Sequence, residues 1–421
     1  MELNIKAQPN KSVIVVLSAL FLLVTLGKYN LYIGFALKPY MLFCILFLLF
    51  QFSKFRFQKL QLFEIFMFLF YFVYLYTGAF SLYPGSSMRI LFGVIIYLCC
   101  YIVIKAIIKG ASCKVIEKSL GIAGLLFNLI SLILYFLGLQ SKNFSLVGDG
   151  VISYGVMFDR DYPRLIGAVQ DPNIFIFYNT IFFSYFLCNT KSWINKIGLM
   201  LCILTSLLTF SRGGILAMAL VFFIYFLMSR TAVRAKLLFG MAAGLFVISY
   251  VMTVHLKFDL YNILISRIED FSSDGGSGRF ELWERALEFF SSHMVYGIGA
   301  FNYRDYNFFF YGDSLYPHNT FLDILSESGL IGLFFYGMFI LILIFQLIHS
   351  KMYHHTPYLF LTFIGFMLQL VSLSFMINDM FFLYLAILSQ YMYIGQAGTP
   401  SKVDLQITPV TPHSVSPANQ G

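Results

Sequence analysis

The chain has 421 residues, of which 59% are hydrophobic and only 11% charged, and its formal net charge is +8. So little polar surface cannot cover a water-soluble globule of this length, which excludes a soluble enzyme or binding module and leaves lipid as the solvent. The positive balance is accounted for by membrane topology and implies no nucleic-acid partner.

Apolar stretches long enough to cross about 30 Å of hydrocarbon, roughly 20 residues as a helix, recur along the chain. They are continuously apolar and do not alternate, which predicts helices and not a barrel. The expected spans are 13–27, 37–52, 62–82, 88–108, 119–139, 173–189, 194–210, 213–228, 236–255, 325–348, 357–374 and 379–395. The first follows Lys6 and Lys11 and reads as a retained helix, because no small-residue cleavage site follows it and Lys28 closes it. With both termini in the cytoplasm, the inner joins carry Lys54, Arg56 and Lys59; Lys105, Lys109, Lys114 and Lys118; Lys191 and Lys196; Arg230, Arg234 and Lys236; and Lys351. The short outer joins carry only Lys28, Lys38, Arg89 and Arg212, so the positive charge lies inside. The expected fold class is all-α integral membrane with about twelve transmembrane helices.

The expected organisation is N-terminal transmembrane helices over 1–139, a first long outer loop over 140–172, and central helices over 173–255. A large outer loop over 256–319, C-terminal helices over 320–395 and a disordered cytoplasmic tail over 396–421 complete it. Loops of the size of the two outer ones are usually functional, and nearly all the acidic residues sit in or beside them, so any chemistry is expected outside. The six cysteines fall within helices or on the inner side and offer neither an outer disulfide nor metal-ligand spacing.

Arginines at one membrane face mark the candidate site. Arg89 begins the fourth span, and Arg164 stands ahead of Asp171-Pro172-Asn173, a turn and helix start. Arg212 sits in the very short join Ser211-Arg212-Gly213, and Arg279 opens a helix in the large loop. Each could be a snorkelling anchor or part of a local ion pair. Together, four guanidinia suggest a pocket for a multiply charged anion, because the planar guanidinium fork donates paired hydrogen bonds to phosphate and keeps its charge when partly desolvated. A diphosphate joined to a lipid would satisfy both charge and location.

The loop helix is read as amphipathic, with Phe280, Trp283, Leu287 and Phe290 on one face and Glu281 and Arg285 paired at i, i+4 on another. Before it, Ser272–Gly278 reads as a flexible link; after it, Gly297-Ile298-Gly299 marks a turn. The aromatic stretch from Phe301 to Tyr311 is either an interfacial belt or a stacking surface for sugars. Of the seven histidines only His318 is well placed for acid–base work, directly ahead of an apolar helix that contains Asp323 and Glu327. His318, Asp313 and Asp323 lack a recognised ligand spacing, so no metal or other cofactor is expected.

His318-Asn319, nine residues and then Gly329-Leu-Ile-Gly332 resembles the signature of O-antigen ligases, Wzy-type polysaccharide polymerases and related bacterial oligosaccharyltransferases. Ser211-Arg212-Gly213 resembles the arginine turn of that superfamily, Gly278-Arg279 with Trp283 its loop-helix motif, and Asp171-Pro172-Asn173 its earlier outer loop. The resemblance implies a membrane fold like that of GT-C-type glycosyltransferases and a metal-independent, inverting transfer at the periplasmic face of the bacterial inner membrane. The donor would be an undecaprenyl diphosphate-linked oligosaccharide and the acceptor a glycolipid, either a carrier-linked repeat or the lipid A core. It implies that Arg212 and Arg279 bind the diphosphate, with Arg164 and Arg89 in the same cluster, and that His318 acts on the acceptor hydroxyl. Asn319, Asp171, Asn173, Trp283, Arg285 and Glu327 would support the site or touch substrate.

A polymerase is the first expectation, because Arg267, separated from Gly278 by ten residues, resembles the spacing in polymerase loops. Such an enzyme would be open to a chain-length co-polymerase as partner. An O-antigen ligase is the alternative, and a lipid-linked oligosaccharide flippase the competing class, against which the charges at the outer boundary argue.

Overall fold

Each of the twelve expected apolar spans falls on a helix in the computed structural model of the protein, which describes residues 11–32, 35–144, 150–159, 162–250, 253–254 and 278–397. The helices are Lys11–Thr25, Pro39–Gln51, Leu62–Thr77, Pro84–Ile108, Cys113–Ser141, Pro172–Cys188, Trp193–Leu208, Arg212–Met228, Thr231–Tyr250, Thr320–His349, Pro357–Leu370 and Asp379–Ala397. Among the described residues four stretches are long and apolar enough to cross a membrane alone, Leu62–Phe80, Pro84–Ile108, Cys113–Ser141 and Thr320–His349. Shorter apolar helices surround them, such as Pro172–Cys188 and Arg212–Met228. Arg267, the link over 272–277 and the tail from Thr399 lie outside the described residues.

The purely helical expectation needs a correction. In the first long loop, Val151–Ser153, Val156–Asp159 and Tyr162–Leu165 form a three-stranded antiparallel sheet, and Leu31–Tyr32 pairs with Ala36–Leu37. Strands of two to four residues carry too little periodicity to be read as strands. The larger sheet rests on the Cys113–Ser141 helix: the Gly155 amide donates to the Leu134 carbonyl at 3.2 Å, and the Tyr135 hydroxyl to the Pro163 carbonyl at 3.1 Å. Its last strand carries Arg164.

The charged groups of two buried clusters inside the apolar body are paired, as a low-dielectric setting requires. Lys105, which the sequence assigns to an inner join, is buried against Glu64, its ammonium 2.5 and 2.7 Å from the two carboxylate oxygens; the Tyr101 hydroxyl also donates to Glu64. At another place Asp379 accepts from Lys38 at 2.5 Å, Tyr40 at 2.7 Å and Tyr178 at 3.0 Å, which ties the last helix to two others. Asn128, Asn179, Thr205 and Ser206 hydrogen-bond across three helices. These contacts act as interhelical glue.

The feature that organises the half of the bundle carrying the large loop is a break within Thr320–His349. Gly329 has φ 62° and ψ −160°, so the helix stops and restarts there. The freed backbone groups are taken up by the loop that follows the Arg279–Ser292 helix. Ile298 and Gly299 amides donate to the Ser326 and Glu327 carbonyls at 2.9 and 3.0 Å, and Leu330 and Ile331 amides donate to Met294 and Val295 carbonyls at 2.9 and 3.3 Å. In hydrocarbon, unpaired backbone is tolerated only where other protein satisfies it. The crossing is close enough to demand glycine on both sides: a Cβ at Gly329 would lie 2.4 Å from the Val295 oxygen, and one at Gly297 2.4 Å from the Glu327 carbonyl carbon. We expect Gly329→Ala to lower the thermal stability of the purified protein clearly, the left-handed φ alone costing about 1–3 kcal/mol. Gly337→Ala in the same helix, where a Cβ meets nothing within 4 Å, serves as the control; equal melting temperatures for the two variants would contradict the account.

Candidate functional site

Four helices begin around one place, and their opening residues are the ones that the sequence singles out. Asp171 caps the Pro172–Cys188 helix, its Oδ1 accepting from the Asn173 and Ile174 amides at 2.7 and 3.2 Å. Ser211 caps Arg212–Met228, accepting from the Gly214 amide at 3.4 Å, and its hydroxyl donates to Asn173 Oδ1 at 2.6 Å, which joins the two helix starts. Arg279 is the first residue of Arg279–Ser292, entered through Gly278 in the left-handed conformation. Asn319 caps Thr320–His349, accepting from the Phe321 and Leu322 amides at 3.0 and 3.3 Å. Helix starts present unpaired amides and the positive end of the backbone dipole, so this clustering favours an anion before any side chain is counted.

The charged side chains are electrostatically coupled. Arg279 interacts with Arg212 and with Asp171, and His318 interacts with Arg279 and Asp171. Arg279 is half-buried, and burial together with the neighbouring Arg212 guanidinium pulls its pKa below the ordinary arginine range, partly opposed by Asp171. Two partly desolvated guanidinia held near each other are costly unless an anion joins them. Arg164 comes from the outer sheet and donates from Nε to the Thr209 carbonyl at 3.1 Å, just ahead of the Ser211-Arg212 turn. Arg89 is exposed on Pro84–Ile108, and no contact among the described residues joins it to the other three.

His318 is held from both sides. The Trp283 indole donates to the Pro317 carbonyl at 2.8 Å, which fastens the loop helix to the residue ahead of the histidine. After it, Thr320 accepts from the Phe375 amide at 2.9 Å and donates to the Leu373 carbonyl at 2.6 Å. His318 has φ 50° and Phe210, beside Ser211, has φ 52°. Non-glycine residues in this region are uncommon, and such strain collects at working sites. Burial, followed by the Arg279 charge, lowers the His318 pKa below its ordinary 6.5, with Asp171 opposing. The imidazole is therefore mostly neutral at pH 7 and able to accept a proton.

Two of the proposed supporting residues are engaged in building the loop. Arg285 donates to Asn307 at 2.8 Å and Asp313 at 2.5 Å, pairs with Glu281 and stacks over Tyr311 with its guanidinium carbon 4.2 Å from the ring centre. Glu327 is buried, accepting from the Tyr74 hydroxyl at 2.5 Å and the Tyr303 amide at 3.1 Å. The loop helix packs on protein through a second apolar face: Leu282, Ala286 and Phe289 are buried, the last against Tyr303 and Tyr306, whereas Phe280 and Leu287 on the face read from the sequence are 61% and 49% exposed. A residue given no role of its own by the sequence also emerges: Asp323, one turn into the helix that His318 precedes, is buried with an unpartnered Oδ1.

Fold and site together define a polytopic helical membrane protein with a cluster of guanidinia at helix starts and a histidine coupled to it. Residues 197–337 match the family model described as O-antigen ligase, Wzy_C, a segment that includes Arg212, Arg279, Trp283, His318, Asn319, Glu327 and Gly329. The match supports the O-antigen ligase and Wzy superfamily, a role in surface polysaccharide processing, and a multi-pass protein of the bacterial inner membrane. A comparison with curated proteins finds no match.

The electrostatic coupling has a measurable consequence. Carbethoxylation of His318, followed at its own peptide by mass spectrometry across pH, should have its midpoint below 6.5. Arg279→Gln removes a nearby positive charge and should move that midpoint upward; an unmoved midpoint would show that the two side chains are not neighbours.

Proposed function

We propose that the protein transfers a glycan from an undecaprenyl diphosphate carrier to a sugar hydroxyl at the periplasmic face of the inner membrane. The observation that carries this reading is the coupling of Arg212, Arg279 and His318 at converging helix starts. A sugar linked to diphosphate already has a good leaving group, so catalysis needs fixed positive charge where negative charge develops and an acceptor held in line.

In this reading Arg212 and Arg279 hold the diphosphate, with Arg164 beside the arginine turn. Neutral His318 takes the proton of the acceptor hydroxyl as its oxygen attacks the anomeric carbon, and the bond to the diphosphate oxygen breaks. The carrier diphosphate leaves with the electron pair and stays paired to the guanidinia, while the imidazolium later loses its proton to water. Attack opposite the leaving group inverts the anomeric centre. Guanidinia, and not a metal, supply the electrophilic charge. Arg89 is left as a peripheral attraction for the same anion, and Arg285 and Glu327 as the supports of the loop that covers the site.

The first form of this function is a polymerase that joins carrier-linked repeats, a reading that rests on the Arg267 spacing and leaves room for a chain-length co-polymerase. The second is a ligase acting on the lipid A core; the matched family is described as O-antigen ligase, and the match does not distinguish the two forms. Purified protein in lipid, given a carrier-linked repeat with and without lipid A core, separates them: a ladder from the repeat alone identifies a polymerase, and product only with the core a ligase. His318→Ala should reduce either product by at least about 100-fold, the lower range for a general base. Retention of the anomeric configuration, or full activity in that variant, would overturn the mechanism.

A further inference from the structure

A cavity of about 300 Å³ opens one helical turn along from His318, where Asp323 donates its amide to the Asn319 carbonyl, and is lined by Tyr97, Phe301, Tyr316, Asp323, Glu327 and Ser374 among others. Its volume is at the lower end of the range for small-ligand sites, roughly 300–1,000 Å³. The walls are fixed. The Tyr97 hydroxyl accepts from Lys38 at 2.7 Å, and Lys38 is itself paired with Asp379. Phe301, at φ 61°, is held by its amide donating to the Tyr74 hydroxyl at 2.9 Å, and its ring lies 6.1 Å from that of Tyr316. Arg304 covers Tyr316, its guanidinium carbon 5.4 Å from the ring centre.

The two carboxylates in this cavity differ. Glu327 has both oxygens engaged, one by Tyr74 and one by the Tyr303 amide. Asp323 is 4% exposed and has the Ser374 hydroxyl beside it, yet neither its Oδ1 nor that hydroxyl makes a well-formed hydrogen bond. A buried acceptor without a donor costs about 1–3 kcal/mol, more when charged, so a retained one calls for a donor that arrives from outside. Anionic diphosphate is the wrong partner for it; hydroxyl groups are the right one, and aromatic faces beside a carboxylate suit the apolar and polar sides of a pyranose ring.

We propose that this cavity is the acceptor subsite, which receives a sugar ring of the acceptor glycan with a hydroxyl donating to Asp323 and the ring against Phe301 and Tyr316. The assignment rests on the transferase reading above. It places phosphate at the guanidinia and the sugar at Asp323, with His318 tied to the first by the charge of Arg279 and to the second by one turn of helix. Asp323 is on this account a specificity residue and takes no part in the bond exchange.

Two variants test it in the reconstituted transfer assay, with the concentrations of donor and acceptor varied separately. Asp323→Asn keeps the volume and replaces one carboxyl oxygen by an amide nitrogen that cannot accept; it should raise the acceptor KM about tenfold or more and leave the donor KM unchanged. Gly93→Leu fills the cavity from a different helix and leaves the Asp323 side chain in place. A Cβ at Gly93, which also lines the cavity, meets nothing within 4 Å, and replacing glycine inside a helix favours folding. It should block the acceptor in the same way while retaining the wild-type melting temperature. Unchanged acceptor KM in both variants, with wild-type transfer intact, overturns the subsite and leaves the transferase standing. Absence of transfer by the wild type with either acceptor overturns the transferase reading itself.

Discussion

A helix in hydrocarbon cannot be interrupted unless something else pairs its backbone, and the loop-bearing half of this protein is built around one such interruption. At Gly329 the Thr320–His349 helix breaks, and the 294–299 loop is threaded through the gap with four backbone hydrogen bonds. That crossing anchors the large loop to the bundle. From it, Asn302 bonds to Ser87 and to the Tyr83 amide, Glu327 receives the Tyr303 amide, and Arg285 closes the loop on Asp313. The loop helix is thereby held so that Arg279 stands over the starts of two membrane helices and Trp283 reaches Pro317. The position of the site is thus a consequence of how a broken helix satisfies its peptide groups.

Electrostatics then follow from placement. Capping by Asp171, Ser211 and Asn319 uses some of the amides at three helix starts, and the positive ends of those helices remain aimed at one region. Arg212 and Arg279 reinforce that field, and burial followed by the Arg279 charge keeps His318 from being protonated early. One turn into the helix that follows the histidine, Asp323 and Glu327 line one cavity. A neutral imidazole with guanidinia near it and carboxyl groups one turn along suits a reaction in which an anion leaves and a hydroxyl arrives.

Much of this was legible in the residues because it is local. Long apolar runs locate the twelve helices, and the proline and asparagine around Asp171 and Asn319 mark helix starts. The Glu281–Arg285 pair follows from helical spacing. What depends on contacts between distant segments was not legible. The pairing of Gly297 with Gly329, the reach of Trp283 to Pro317 and the separation of Arg89 from the other arginines come from tertiary packing. The loop helix shows the limit well: apolar residues on two sides allow two orientations, and only the aromatic helix Tyr303–Tyr311 selects between them. The outer sheet escaped because its strands are too short, and Lys105 because a lysine near a helix end reads as a topology charge until its partner Glu64 is seen.

The central claim is that Arg212 and Arg279 act together on one diphosphate. Binding of undecaprenyl diphosphate and of undecaprenyl monophosphate to the purified protein in lipid, measured for wild type, Arg212→Gln, Arg279→Gln and the double variant, tests it directly. The account predicts a preference for the diphosphate that each single substitution weakens at least tenfold, with the double variant losing less than the sum because the two guanidinia share one ligand. Equal affinity of all four proteins for the diphosphate, or two independent additive losses, would contradict it.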